Sequence, residues 1–280
     1  MDKLRGWIGK IESTSDQVTP VPISGLSATL DRDDPFPETG NALPPLWHLL
    51  YFLPIQRQSE IGPDGIVKRG GFLPPVPLPR RMYGGTRVQF HHPLRVGESI
   101  SKVSRIMDLA YKEGRSGPLV FVLVRHEISN SEGVAITEEQ DVVYRGDPRP
   151  GDPVPQPKSA PRDATWSREI CTDEVMLFRF SALTFNGHRI HYDWRYATAV
   201  EGYPQLLVHG SLIGTLLLDL LRRNLPSVTV THFSSRAVTP LLNGVSFSVC
   251  GRIEDNGKTI KLWAATSEGH LATEATALLA

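Results

Sequence analysis

Two short segments of the chain carry residue types suited to acid–base chemistry. The first is Phe185-Asn186-Gly187-His188-Arg189-Ile190-His191, in which a histidine follows an amide at a five-residue spacing. The second is Leu207-Val208-His209-Gly210-Ser211-Leu212, which opens a long apolar run on His-Gly. A helix starting there presents unpaired backbone N–H groups and a positive dipole end. Such an end can hold a thioester oxygen as it becomes an enolate. A nearby histidine can move protons at neutral pH. The chemistry this suggests is addition of water to an unsaturated acyl thioester: water loses a proton as it attacks Cβ, and Cα gains one. An oxyanion donor typically contributes about 3–4 kcal/mol to such a step, and a positioned acid–base about 10²–10⁴-fold in rate. Neither a metal nor a redox cofactor is required, because coenzyme A is part of the substrate.

Each of these residues has a plainer role available. His191 can be a structural histidine bonded to backbone, and Asn186 a turn residue beside Gly187. Asp193 can be a solvated loop acid or a helix cap. His209 reads more simply as packing or capping near the helix start than as a proton carrier. Arg80 and Arg81, in a loop rich in proline and glycine, are either a solvated pair or a clamp for a CoA phosphate or a distal substrate carboxylate. The planar guanidinium suits both anions.

The elements that must position these residues fall into two similar halves. Ser131-Glu132-Gly133-Val134-Ala135-Ile136-Thr137-Glu138 matches Ser267-Glu268-Gly269-His270-Leu271-Ala272-Thr273-Glu274. Upstream, Pro93-Leu94-Arg95-Val96-Gly97 matches Pro240-Leu241-Leu242-Asn243-Gly244. The paired motifs occur in the same order at similar spacing, as an internal repeat would place them. Each half is expected to end in an antiparallel meander. In the first half the strands are read as 99–108, 119–129 and 134–144. In the second they are 245–253, 259–267 and 270–279, with Asp255-Asn256-Gly257 as a hairpin turn. A helix is expected over 207–223, and a shorter partner over 46–53 that stops at Pro54. Leu212, Ile213, Leu216, Leu217, Leu220 and Leu221 leave the long helix apolar almost all round, so it must be enclosed on several sides. A helix wrapped by an antiparallel sheet, duplicated in one chain, is an α+β double hotdog. The expected parts are a first hotdog over 1–145, a proline-rich linker over 146–164 that cannot be helix or central strand, and a second hotdog over 165–280.

Composition narrows the classes. The 280 residues are 40% apolar, enough for a sizeable core, and 30 basic residues balance 30 acidic ones. That argues against a dedicated nucleic-acid binder. The run Ser211–Leu221 contains Asp219 and is too short to span a bilayer. Two cysteines, Cys171 and Cys250, lack metal-type spacing and suggest a reducing cytosol. The first residues lack the apolar core of a signal peptide.

The run from Phe180 to His191, followed by Val208-His209-Gly210-Ser211-Leu212, resembles the MaoC-like (R)-specific enoyl-CoA hydratases, and most closely their double-hotdog branch. That branch includes the type 2 hydroxyacyl-thioester dehydratases and bacterial hydratases of mesaconyl-, 3-methylfumaryl- and itaconyl-CoA. Thr184-Phe185-Asn186-Gly187-His188-Arg189-Ile190-His191-Tyr192-Asp193 and Leu78-Pro79-Arg80-Arg81-Met82-Tyr83-Gly84-Gly85 are characteristic of it. The resemblance puts His191 at the family's catalytic histidine and Gly210 at its thioester-binding backbone N–H. Asn186 falls where the family carries a catalytic aspartate, a departure because an amide cannot accept a proton at working pH. Asn186 is then expected to orient water through its carbonyl oxygen. His191 carries the proton alone or with Asp193. His188 and Arg189 replace the Asn-Pro of the simpler motif, and Arg189 is a further carboxylate candidate.

Trp47 and His48 lie in the first half where Val-His-Gly lies in the second, with no glycine after them. The first half is expected to have lost the chemistry and to wall the acyl or CoA pocket. The expected activity is hydration of a short, branched, carboxylated acyl-CoA of the mesaconyl, 3-methylfumaryl or itaconyl kind, by a monomer or homodimer. The rivals are a 3-hydroxyacyl-thioester dehydratase of fatty-acid metabolism, a hotdog thioesterase, and a non-catalytic acyl-thioester-binding protein. Thiol release separates the thioesterase from the hydratase, and turnover that depends on His191 separates either enzyme from a binder.

Overall fold

The computed structural model describes residues 2–114, 117–147, 156–254 and 257–280. Four α-helices are present among them: α1 (Asp2–Arg5), α2 (Pro20–Thr29), α3 (Glu174–Leu183) and α4 (Gly210–Asn224). The strands are β1 (Ile11–Gln17), β2 (Arg80–Phe90), β3 (Ser99–Gly114), β4 (Gly117–Asn130), β5 (Gly133–Arg145), β6 (Trp166–Ile170), β7 (Val230–Ala237), β8 (Phe247–Ile253), β9 (Thr259–Thr266) and β10 (Leu271–Leu279). They form one sheet in the order β1-β3-β4-β5-β2-β7-β10-β9-β8-β6. Every pairing is antiparallel, including the β2–β7 seam where Gly85 faces Arg236 and Gln89 faces His232. Reading outward from the seam, β2, β5, β4, β3 and β1 correspond to β7, β10, β9, β8 and β6. The internal repeat is therefore a repeat of topology.

The turns that mark the repeat have the backbone it requires. Gly133, which opens β5, and Gly269, in the turn before β10, hold φ of 114° and 79°, a region side-chain-bearing residues avoid. The meanders match the expected strands, extended by several residues in the first half. Asp255 and Asn256 lie outside the described residues, but β8 and β9 pair on either side of them in register Ile253↔Ile260. Of the expected linker, residues 148–155 lie outside the described residues. Its later part folds back on the β9–β10 turn, with Ser159 bridging to His270.

Three expectations are corrected. The helix expected over 46–53 is one 3₁₀ turn, Trp47–Leu50. Pro44 and Pro45 precede it, Leu46 is left-handed at φ 68°, and Pro54 follows, so no longer helix can form. The long helix begins at Gly210. Leu207 and Val208 stay extended because they pair with Leu242 and Leu241. Arg80 and Arg81 are not in a loop; they open β2, paired with Arg145 and Tyr144.

α4 is enclosed as its composition demands. Leu212, Leu216, Leu217 and Leu221 are no more than 2% exposed. They join one core with residues of the first half such as Leu26, Leu46 and Leu50. Its one buried acid, Asp219, accepts from Arg32 of the first half at 2.6 Å and from Arg168 and Arg223 at 3.0 and 2.7 Å.

Candidate active site

α3 aims the first segment. Asp173 caps its start by accepting the Met176 N–H at 2.7 Å. The helix ends at Leu183, and the chain reverses through Phe185, held left-handed at φ 49°. A non-glycine residue in that conformation next to Asn186 marks backbone that its surroundings constrain. The Asn186 N–H donates to the Ser181 carbonyl at 2.8 Å, and its Oδ1 accepts the His188 N–H at 3.0 Å. The amide oxygen assigned by sequence to water is thus already used once, which leaves one lone pair and the Nδ2 donor. A 3₁₀ turn, Arg189–His191, completes the loop.

The first half clamps this loop by backbone. The Arg189 N–H donates to the Asp64 carbonyl at 2.9 Å, and its Nη1 donates to the Pro63 carbonyl at 2.9 Å. Gly65, at φ 83°, lies so close that a Cβ there would stand 1.9 Å from the Gly187 carbonyl oxygen, and a Cβ on Gly187 would stand 2.5 Å from the Gly65 oxygen. Both positions exclude any side chain. Nothing in the sequence links two glycines this far apart, so only the fold identifies Gly65 as part of the site.

His191 is tied to the second segment from both sides. The Ile190 carbonyl accepts the Leu207 N–H at 3.0 Å, and the Leu207 carbonyl faces His191 Nδ1 at 2.8 Å. A carbonyl only accepts, so Nδ1 must carry the ring proton and Nε2 is left as a bare lone pair. Nε2 bonds to no described residue, yet it retains access to solvent. The ring stacks on that of His209 with centroids 3.7 Å apart, and His188 meets it edge-on at 5.6 Å. Burial lowers the His191 pKa to about 4, partly opposed by the Leu207 carbonyl. Burial, with His191 and Arg81 nearby, lowers His188 to about 3. His209 is also pushed well down, by burial and by the other two imidazoles. All three rings are uncharged at neutral pH.

His209 is the N-cap residue of α4, yet no side chain caps the helix. Its Nε2 instead meets Ser181 Oγ at 2.8 Å, and its ring packs edge-on against Phe180. The uncapped first turn begins at Gly210. A Cβ on Gly210 would stand 2.7 Å from Tyr83 Cδ1, so only glycine lets the tyrosine ring cover this helix end. Tyr83 bonds onward to Ser235 Oγ at 3.3 Å. The stacking of His191 on His209 therefore brings a lone-pair nitrogen and free helix N–H groups to one corner of the molecule. Beside that corner lies an open cavity of about 970 Å³. Asn186, Gly187 and Ser211 line it on the second-half side; Tyr83, His48 and Glu138 line it on the first. Its size is at the upper end for small-ligand sites, room for an acyl group and part of its carrier arm.

The remaining sequence candidates lie elsewhere or are already engaged. Asp193, the second proton carrier by sequence, is an ion-pair partner instead. It sits 2.7 Å from Arg189 and accepts the Tyr196 N–H at 3.0 Å, and those two bonds lower its pKa. Like His191, His209 and Gly210, it does not line the cavity. Arg189 does, but its charge is matched by Asp193, and its guanidinium lies over the Tyr196 ring. Arg80 is buried against Asp147 at 2.9 Å and Glu201 at 3.6 Å, away from the cavity wall. Arg81 does not line the cavity either; it forms no ion pair among the described residues, and its charge faces His188. Two first-half residues also line the cavity and bond to each other at 3.0 Å: His48, which sequence places only as the counterpart of the Val-His-Gly segment, and Glu138, which sequence does not mark as a site residue.

Comparison with known proteins gives a consistent family. The family model described as hydroxyacyl-thioester dehydratase type 2 matches residues 46–243. The chain is 44% identical over 273 residues to a mesaconyl-C4-CoA hydratase of Chloroflexus aurantiacus, covering 96% of this chain and 95% of that one. A MaoC-like dehydratase from Phytophthora capsici superposes with a TM-score of 0.75 at 13% identity, covering 100% and 97% of the two chains. A Mycobacterium tuberculosis protein described as a double hotdog gives 0.58 at 14% identity, covering 98% and 96%. At those identities the two structures establish the fold, which is the double hotdog.

Proposed function

Since the chain belongs to the hydroxyacyl-thioester dehydratase type 2 family and is a hydro-lyase of acyl thioesters, we propose that it hydrates a short, branched, carboxylated enoyl-CoA of the mesaconyl-C4, 3-methylfumaryl or itaconyl kind. The observation that carries this reading is the fixed tautomer of His191 beside the uncapped start of α4. His191 Nε2 takes a proton from water as the water oxygen bonds to Cβ. The electron pair of the double bond moves toward the thioester, whose oxygen receives hydrogen bonds from the Gly210 N–H and the turn it opens. The same Nε2 then returns a proton to Cα, so that one water is added and the histidine is regenerated. Asn186 holds the water, through the Nδ2 donor or the remaining lone pair of Oδ1. The depressed basicity of His191 suits the second step, since a weakly basic imidazole readily releases its proton to carbon.

Arg81, with no ion pair among the described residues, is assigned to a phosphate of coenzyme A. Arg80 and Arg189 hold the surrounding loops. We assign the protein to the cytosol on its two cysteines, which form no disulfide with each other. A CoA-ester panel tests the reading. Mesaconyl-C4-CoA is expected to lose its enoyl absorbance without release of free thiol. Thiol release from saturated esters would establish a thioesterase instead, and binding without turnover of any ester would establish a carrier.

A further inference from the structure

The concave face of the first half carries polar side chains where a hotdog sheet ordinarily presents apolar ones to its helix. On β3, Ile100, Lys102, Ser104 and Ile106 alternate onto one face, and Ile100, Ser104 and Ile106 are no more than 3% exposed. On β5 the same face carries Glu138 and Gln140, on β4 His126, and on β2 Thr86. The short 3₁₀ turn that stands in for the helix leaves this face uncovered, and Lys102, His126, Glu138 and Gln140 line the cavity. An aliphatic chain reaching this floor would strip water from polar groups without replacing their bonds.

The anion of the cluster is satisfied. Glu138 Oε2 meets His48 Nε2 at 3.0 Å, and Oε1 accepts from Thr86 at 2.8 Å and Gln140 at 2.9 Å. His126 is bonded through Nδ1 to Ser104 at 2.8 Å. The cation is not satisfied. Lys102 makes no ion pair or hydrogen bond among the described residues, and its ammonium lies 5.0 Å above the Phe52 ring. Glu12, Asp16 and Glu138 face it from beyond ion-pair distance, and burial still outweighs them in lowering its pKa. Of these, Asp16 is committed to the Phe52 and Gln17 N–H groups.

We propose that Lys102 is the specificity-determining residue of the site: its ammonium receives the distal carboxylate of the acyl group, while the polar floor beside it excludes longer aliphatic chains. This rests on the hydratase reading and adds the substrate class it selects. The thioester then lies at α4 and the acyl group crosses from the second half into the first, between Tyr83 and Phe52.

The test compares mesaconyl-C4-CoA with crotonyl-CoA, which lacks the distal carboxylate, in the wild-type protein, Lys102→Met and Lys102→Arg. Loss of a buried charge partner predicts that Lys102→Met lowers kcat/KM for mesaconyl-C4-CoA by about 30-fold or more. Crotonyl-CoA should change by less than about 3-fold, an effect under 1 kcal/mol. Lys102→Arg should keep much of the wild-type preference. Equal losses on both esters, or no loss on either, would overturn the subsite. A wild-type enzyme that hydrates crotonyl-CoA but not the dicarboxylic ester would also overturn it and leave the hydratase reading intact. Hydration of neither ester would overturn both. If Lys102→Met does not fold, inhibition of the wild type by saturated acyl-CoAs decides: succinyl-CoA should bind more tightly than butyryl-CoA, and the reverse order refutes the proposal.

Discussion

Replacing His191 with alanine is expected to lower kcat/KM for hydration about 10²–10⁴-fold, with most of the loss in kcat. The reason lies in what the ring does and does not touch. Its Nδ1 is bound to the Leu207 carbonyl, so the substitution removes one internal hydrogen bond and the Nε2 lone pair, which bonds to no described residue. Acyl-CoA binding uses other groups and should survive. A loss confined to KM would mean that His191 only shapes the pocket.

The pH dependence carries the same signature. Because the His191 pKa is lowered to about 4, the wild-type rate should stay level from pH 8 down to 6. An ordinary histidine would begin to lose its base there. Stability responds first. His188, His191 and His209 all have folded-state pKa values below the unfolded value of about 6.5, so the unfolded chain binds more protons as pH falls. Their contribution is complete above about pH 6.5 and is lost as pH falls through about 4 for His191 and about 3 for His188. A Tm that declines below pH 6.5 while the initial rate holds is the expected pattern.

The second large effect concerns the fold. Asp219→Ala should destabilise the protein by about 3–5 kcal/mol, the usual cost of removing one partner from a buried ionic cluster. The Asp219 carboxylate is 1% exposed and bonds to three arginines: Arg32 just beyond α2, Arg168 on β6 and Arg223 on α4 itself. Arg32 would keep Asp34, which it meets at 2.8 Å, but would lose its bond to α4. Asp34 itself is lowered to about 2: burial opposes its ionisation, but Arg32, Arg222 and Ser27 prevail. Urea unfolding measures the change. Asp219 sits roughly 14 Å along the helix from Gly210, so kcat at a temperature where the variant stays folded should be near normal. A stability change below about 1 kcal/mol would mean that solvent screens the cluster after all.

Much of the architecture was legible from local chemistry. Gly133 and Gly269 mark matching hairpins because positive φ leaves few other residues available, and α4 announces itself by leucines on every face. The segments carrying Asn186, His191 and Gly210 were legible as types and spacing, and the fold gathers them in one corner. What stayed hidden depends on partners distant in sequence. β2 interrupts its alternation with Arg80, Arg81 and a Gly-Gly pair; its register shifts between Tyr83 and Gly85, and at the seam a Cβ on Gly85 would stand 2.2 Å from the Ser235 oxygen on β7. Lys102 and Glu138 occupy inward positions of strands but are charged, so a pattern of apolar alternation places them outside. Asp193 has the residue type for catalysis, but its ion pair with Arg189 becomes visible only in the folded loop. Gly65 and Gly187 require each other, but their contact is between backbones and leaves no trace in residue type beyond glycine itself.

Hydration by this site requires a single spatial relation: His191 Nε2 and the Gly210 N–H must bracket one conjugated thioester. A crystal structure of the enzyme with a saturated, unreactive acyl-CoA measures it directly. The thioester oxygen should lie within hydrogen-bond distance of the Gly210 N–H, with Cα and Cβ facing His191 Nε2. An acyl group bound elsewhere, or a thioester turned so that its carbonyl carbon rather than Cβ faces a bound water, would contradict the account.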